Sequence, residues 1–314
     1  MYKFKEWVDI NKINFSELSF ISKAIYILEK NIDKIDWSLL SLNSNAIHLL
    51  ALNKDKIDWK LLSRNPHAIH LLAHNLDKID WSLLSSNPNA ISILEKNLNK
   101  VDWDKLSRNP HAISILEQNL DKVNWDQLSR NPQAISILEK NLDKVNWFWL
   151  SKNPSAISIL AHNQDKIIWS ELSRNPNANA ISLLSLNLDK IDWSWLSSNP
   201  YAIHLLELNL DKIDWFYLSH NPQAIHILAQ NIDKINWSWL SANHNAINLL
   251  ALNKDKVDWC VLLENKSIYE LDYDFLKKNC NIFKKELIEK AMHPSRIEKL
   301  LDSGIEIEDL DNYI

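Results

Sequence analysis

Residues 59–80 read WKLLSRNPHAIHLLAHNLDKID, and residues 81–102 read WSLLSSNPNAISILEKNLNKVD. The second stretch repeats the first in length and pattern, so the period is the step from Trp59 to Trp81. Self-similarity at such a period, near 22, marks a solenoid, where each unit buries its apolar face only against its neighbours. Tryptophans carry the register along the chain, at Trp37, Trp59, Trp81, Trp103, Trp125, Trp147, Trp169, Trp193, Trp215, Trp237 and Trp259. Every step is the same except the one between Trp169 and Trp193, which is longer by two, and Phe15 opens the series one step before Trp37. The consensus is W-x-x-L-S-x-N-P-x-A-I-x-x-L-x-x-N-x-D-K-I-D, numbered below as positions 1 to 22. The two extra residues fall in NPNANAI, near residues 177–180.

Within a unit the pattern predicts two short helices. Asn65-Pro66 is a helix start, because Asn accepts from orphan backbone N–H groups and Pro suits the first helical position. Ala68, Ile69, Leu71 and Leu72 then form an apolar stripe at helical spacing. Asn75 ends this helix A, about nine residues long, and is expected to take the left-handed conformation usually left to glycine. That would explain how so many helix ends coexist with one glycine, Gly304. Asp80 is the expected N-cap of a very short helix B starting at Trp81, where Trp at position 1 and Leu at position 4 share a face. Helices this short are unstable alone in water. The tryptophan ladder is therefore read as structural, each ring burying about 150–250 Å² between units.

The expected architecture is an all-α solenoid of about twelve such units with divergent capping ends. Residues 1–14 are the N-terminal cap, 15–264 the array, and 265–314 a helical C-terminal cap with Gly304 and Ile305 closing its last helix. Stacked in a line, the units would make a rod or superhelix on the order of 100–120 Å long. A leucine-rich-repeat-like solenoid also fits a period near 22. It lacks two of the four leucines its strand needs, and Asn-Pro-x-Ala-Ile favours a helix.

Composition bounds the function classes. The net charge of −5 gives no general pull toward nucleic acid or anionic lipid. Two cysteines, Cys260 and Cys280, make neither a disulfide framework nor a zinc spacing. No stretch approaches the length of a membrane span and no signal peptide is visible, so the expected setting is intracellular, without membrane contact. Catalysis needs unlike groups converging on one point, and here serines recur as cap or turn residues. No enzyme activity, cofactor or metal is expected. His67, His70 and His74 share a helix face, but no Cys or carboxylate recurs with them. Lys at position 20 recurs in every unit from Lys34 to Lys256, with Asp beside it except at Asn99; the Asp largely cancels a basic stripe for phosphates, and complete recurrence points to a stacking or capping role.

What varies between units is free to carry specificity. Positions 9, 12 and 16 form a variable face of helix A, with Tyr201, His204 and His226 as its candidates. Solenoids that read RNA use such a face, but the acidic balance argues against nucleic acid and no basic face is apparent. Position 3 on helix B runs Leu39, Leu61, Leu83, Lys105, Gln127, then Trp149, Glu171, Trp195, Tyr217 and Trp239, with Phe148 and Phe216 beside two of them. A position that accepts Lys, Gln and Glu is expected to stay partly exposed. A row of exposed aromatics there marks a protein or peptide binding surface. The alternative is that these rings pack on the next unit and seal a groove.

The repeated W-x-x-L-S-x-N-P-x-A-I-x-x-L-x-x-N motif, spanning roughly residues 15 to 263, resembles the Trp-containing repeats of proteins from giant DNA viruses of amoebae. The resemblance implies a viral repeat protein acting in a host cell, in its cytoplasm rather than secreted, and transfers no catalytic residue. HPSRIEKLLDSGIEI near the C-terminus resembles an ankyrin outer helix and its turn. The expected function is a protein–protein interaction module presenting one extended face. A structural scaffold or virion component is the alternative, and single-stranded nucleic-acid binding a lesser one.

Overall fold

A computed structural model describes residues 2–291 and 293–302. It is an all-α repeat solenoid in which each unit is a helix B, a turn, a helix A and a short closing turn, a 3-10 helix in most units. In the unit from Trp81, helix B spans Trp81–Ser85 and helix A spans Ile91–Glu95. Its Leu98–Lys100 3-10 turn leads into helix B of the next unit, Trp103–Arg108. The helices are thus shorter than the sequence suggests, since the Asn-Pro-x-Ala segment forms a turn ahead of helix A. Asp80 caps as expected, its Oδ1 accepting from the Leu83 N–H at 2.9 Å. Ile168 breaks that rule, and the helix Trp169–Ser173 has no side-chain cap.

The fully buried core is Leu at position 4, Ala at position 10 and Leu at position 14, as in Leu62, Ala68 and Leu72. The position-1 tryptophans are only half-buried. The lysine of the same unit covers what the neighbours leave open, with Lys78 Nζ 4.6 Å from the Trp59 ring centroid and Lys144 Nζ 4.9 Å from that of Trp125. An ammonium over an aromatic face is attracted by the ring quadrupole while its stem shields the ring from water. This pairing recurs through the array, which accounts for the invariance of both residues.

Polar residues hold the units together. Asn131 Nδ2 donates to the Ser107 and Asn109 carbonyls of the preceding unit at 3.1 and 3.0 Å, while its Oδ1 accepts from Gln133 N–H. The same buried amide recurs from Asn43 to Asn265. Ser129 Oγ donates to the Trp125 carbonyl and accepts from the Asn146 N–H. Both side chains thereby pair backbone groups that burial would otherwise leave costly.

The end of helix A differs from expectation. Asn at position 17 has φ between −127° and −140° wherever it precedes a 3-10 helix within the array. In those units it does not enter the left-handed region. Its side chain terminates the helix instead, Asn75 Nδ2 donating to the Leu71 carbonyl at 2.8 Å. Glycine is dispensable because an amide hydrogen bond, rather than a positive φ, ends the helix. The two-residue insertion is absorbed as an extra helical turn, Ala178–Ser185, capped by Asn177. It leaves Asn175 Oδ1 without a hydrogen-bond partner.

The array does not extend as a rod, because its two ends meet. Successive B helices pack directly against one another and approach more closely than the A helices do. The Asn amides tie that side with hydrogen bonds of fixed length, so the chain curves with helix B inside. The twelfth unit is shared by the two termini. Trp259–Leu262 supplies its helix B, and Ile10–Lys12 supplies its 3-10 turn. Lys12 Nζ lies 5.0 Å from the Trp259 ring, the pairing that Lys34 makes with Phe15 at 4.7 Å. Lys23 donates to the Lys266 carbonyl at 3.2 Å, as Asn89 donates to the Pro66 carbonyl at 2.9 Å within the array. Between these halves β1 (Tyr2–Phe4) and β2 (Tyr269–Leu271) pair antiparallel, Lys3 opposite Glu270, and Trp7 packs 6.2 Å from Trp259.

The divergent ends therefore cover each other and close a ring of twelve units. With helix neighbours about 8–10 Å apart and helix bodies about 10–12 Å thick, the channel is roughly 20–25 Å across. Helix Tyr273–Ala291 leaves this seam with Phe275 against Tyr26, and Pro294–Asp302 follows. The expected cap at Gly304 and Ile305 lies outside the described residues.

Candidate binding surface on the inner wall

Helix B is amphipathic. Positions 4 and 5 face the core, so positions 2, 3 and 6 face the opposite way, into the ring. One concave pocket shows this directly, being lined by Arg64, Leu83, Ser86, Lys105, Arg108 and Gln127 from four successive units. A second, across the seam, is lined by Glu17, Phe20, Leu39, Leu42, Leu263 and Glu264.

The position-3 aromatics lie on this wall, together with Phe148 and Phe216. Trp149, Trp195 and Tyr217 are partly buried by packing on neighbouring rings, while the others are exposed. Phe148, Phe216 and Trp239 are exposed at 42%, 46% and 38%. Trp195 and Tyr217 stack at 4.9 Å, Phe216 meets Tyr217 at 5.3 Å and Trp239 at 5.5 Å, and Phe148 meets Trp149 at 4.8 Å. Rings from three successive units thus form one continuous strip. Glu171 departs from the expectation of exposure, since it is only 6% exposed. Its Oε2 lies 3.9 Å from Arg174 Nη1, too far for a hydrogen bond, and has no hydrogen-bond partner.

A basic face, where none was expected, lies at position 6 on this wall. Arg64, Arg108, Arg130, Lys152 and Arg174 share that position. Two of the guanidiniums stack on the ring one unit ahead, Arg130 3.9 Å from Trp149 and Arg174 3.8 Å from Trp195. His220 makes the equivalent contact with Trp239 at 5.0 Å. Burial and then Arg174 hold the Lys152 ammonium below its ordinary value, against the pull of Glu171, with Arg130 and Arg108 adding to the depression. Arg130 is lowered by burial first and by Arg108 second. Groups from four units therefore converge. The signal was available in the sequence: four of the five arginines recur at one repeat position, where sister units hold Ser, Ala, Phe and Glu.

The helix A candidates are not brought to this surface. Tyr201 is 54% exposed at the start of its helix. His226 lies 2.8 Å from Glu207 and His204 3.9 Å from the same carboxylate, on the outer side. The three histidines of the Trp59 unit engage backbone and one another. His67 Nδ1 bonds the Ser44 carbonyl, His74 Nδ1 bonds the His70 carbonyl, and the His70 and His74 rings lie 4.6 Å apart. Among the described residues no group of three His, Cys, Asp or Glu is placed to hold a metal ion. Among the same residues no helix is long and apolar enough to cross a membrane. No family model, curated protein or solved structure matches this chain.

Proposed function

We propose that this protein is a non-catalytic interaction module, a ring that grips an extended segment of a partner protein along its inner wall. The aromatic strip from Trp195 through Tyr217 and Phe216 to Trp239 carries this reading. Large, half-exposed, preordered rings give up little side-chain entropy on contact, which is why such residues dominate binding surfaces. Concavity adds to this, because a segment on a curved wall meets several units at once. The repeat resemblance supports a viral protein working inside a host cell. A scaffold of laterally associated copies is the second reading. It is favoured by the outward-facing Leu52, Leu186, Leu208 and Leu252, exposed at 81%, 83%, 69% and 83%.

The test is selection of peptides from a random displayed library, followed by binding to a variant with Trp149, Trp195, Tyr217 and Trp239 all changed to Gln. Gln127 occupies the same position in a sister unit, so the variant should fold, and circular dichroism checks that it does. Loss of the selected peptides supports the reading. Equal binding by the folded variant overturns it, and stable oligomers without peptide binding favour the scaffold.

A further inference from the structure

The inner wall is electrically polarised, although the chain as a whole is acidic. In the units from Trp103 to Trp169, Lys105, Arg108, Arg130, Lys152 and Arg174 outnumber the carboxylates Asp104, Asp126 and Glu171. Asp104 and Asp126 accept hydrogen bonds from Asn124 and Asn146. Arg108, Arg130 and Lys152 make no ion pair among the described residues, while Arg174 has only its long contact with Glu171. Across the ring, at the seam, the same wall carries Glu17 and Glu264 among leucines.

No element of the fold needs this basic cluster. Position 6 is Ser86, Ser198 or Ala242 elsewhere in the array, with the same helix and the same core. Lys152 is lowered by burial first and then by Arg174, with Arg130 and Arg108 adding to the repulsion and Glu171 opposing it. A bound anion would relieve that repulsion. Arg130 and Arg174 are also prepared for one, because each guanidinium carbon sits 3.9 or 3.8 Å from a tryptophan ring centroid and no described residue accepts a hydrogen bond from its N–H groups.

We infer that the basic arc of Arg108, Arg130, Lys152 and Arg174 binds an acidic peptide segment whose apolar side chains lie on the adjoining aromatic strip. This rests on the inner-wall reading and adds the partner's chemistry to it. Two observations select a peptide over a single-stranded nucleic acid. Bases need open aromatic faces, whereas Trp149 and Trp195 already carry Arg130 and Arg174 on theirs. A uniform polyanion threading the ring would also meet Glu17 and Glu264 opposite the basic arc, whereas a peptide can be acidic on one side and apolar on the other.

The experiment uses the full chain and fluorescence anisotropy. The probes are a labelled 20-residue peptide alternating Glu with Leu and Phe, its Gln-for-Glu counterpart, and a 20-nucleotide oligothymidylate. The variants are Arg130→Gln/Lys152→Gln/Arg174→Gln, the charge-retaining Arg130→Lys/Arg174→Lys, and the aromatic-to-Gln variant above. Binding of the acidic peptide should weaken about 100-fold in the triple variant, as expected for losing three charge-assisted contacts. It should survive in the lysine variant and fall with salt. The Gln peptide should bind far more weakly. Acidic peptide bound equally by wild type and triple variant, but lost in the aromatic variant, overturns the anionic inference and leaves the inner-wall reading standing. Binding unaffected by either variant overturns both. Tighter binding of the oligothymidylate, lost in the triple variant, makes the occupant a nucleic acid and overturns the inference. So does failure of the acidic peptide to bind wild type at all.

Discussion

Asn131→Ala should show what the buried amide ladder contributes. Asn131 is fully buried in the middle of the array. Its side chain makes three hydrogen bonds, at 3.1 Å to the Ser107 carbonyl, 3.0 Å to the Asn109 carbonyl and 3.0 Å from the Gln133 N–H. Each is worth about 0.5–1.5 kcal/mol net, so the substitution should destabilise by about 3 kcal/mol. The groups left unpaired are buried between units, so the loss should fall on the contact between the Trp103 and Trp125 units. Urea unfolding followed by circular dichroism measures this, with exposed Gln133→Ala as a control expected to change stability by less than about 0.5 kcal/mol. Hydrogen exchange should show the new weak point around residues 107–133. If Asn131→Ala costs no more than Gln133→Ala, the amides follow the packing rather than fixing the spacing of the units, and they do not set the curvature of the ring.

Two further outcomes follow from the seam and the caps. Deleting residues 1–8 removes β1, Trp7 and Val8 from the twelfth unit; small-angle scattering should then show a larger radius of gyration and calorimetry a broader melt, while an unchanged profile would refute ring closure. Asp36 is held below its ordinary value of 3.8 chiefly by the Ser16 hydroxyl and then by the Leu39 N–H, and Asp258 chiefly by the Ser238 hydroxyl. Because their folded values are depressed, the stability they add is complete above the unfolded value and is lost as pH falls through the folded one. Replacing both by Asn, which keeps a cap acceptor, should flatten the acid limb of the stability–pH curve below 3.8. An unchanged acid limb would refute this assignment.

The repeat, its two helices, the Asp cap and the apolar stripe were legible in the sequence because each is local. Trp-x-x-Leu, Asn-Pro and Asp before Trp act over a few residues through hydrogen bonds and helical spacing, and recurrence in sister units filters accident from requirement. The same recurrence identified the lysine ladder as structural without saying what it touches. The end of helix A was misread because an asparagine can stop a helix in two ways, by a left-handed backbone or by a side-chain hydrogen bond, and composition does not distinguish them.

What the tertiary structure alone decided is curvature, and the inner wall follows from it. A one-dimensional pattern sets which neighbours touch. The angle between them depends on how closely Asn amides draw the B helices together relative to the A helices, summed over twelve units. That sum brings DINKIN at residues 9–14 onto Trp259, to finish a unit begun at the far end of the array. It also turns positions 3 and 6 inward, so that arginines one or two repeats apart converge on one wall. The sequence by itself determined the unit and the residues free to vary within it; closure decided which of them face one another, because only accumulated rotation brings distant units into reach.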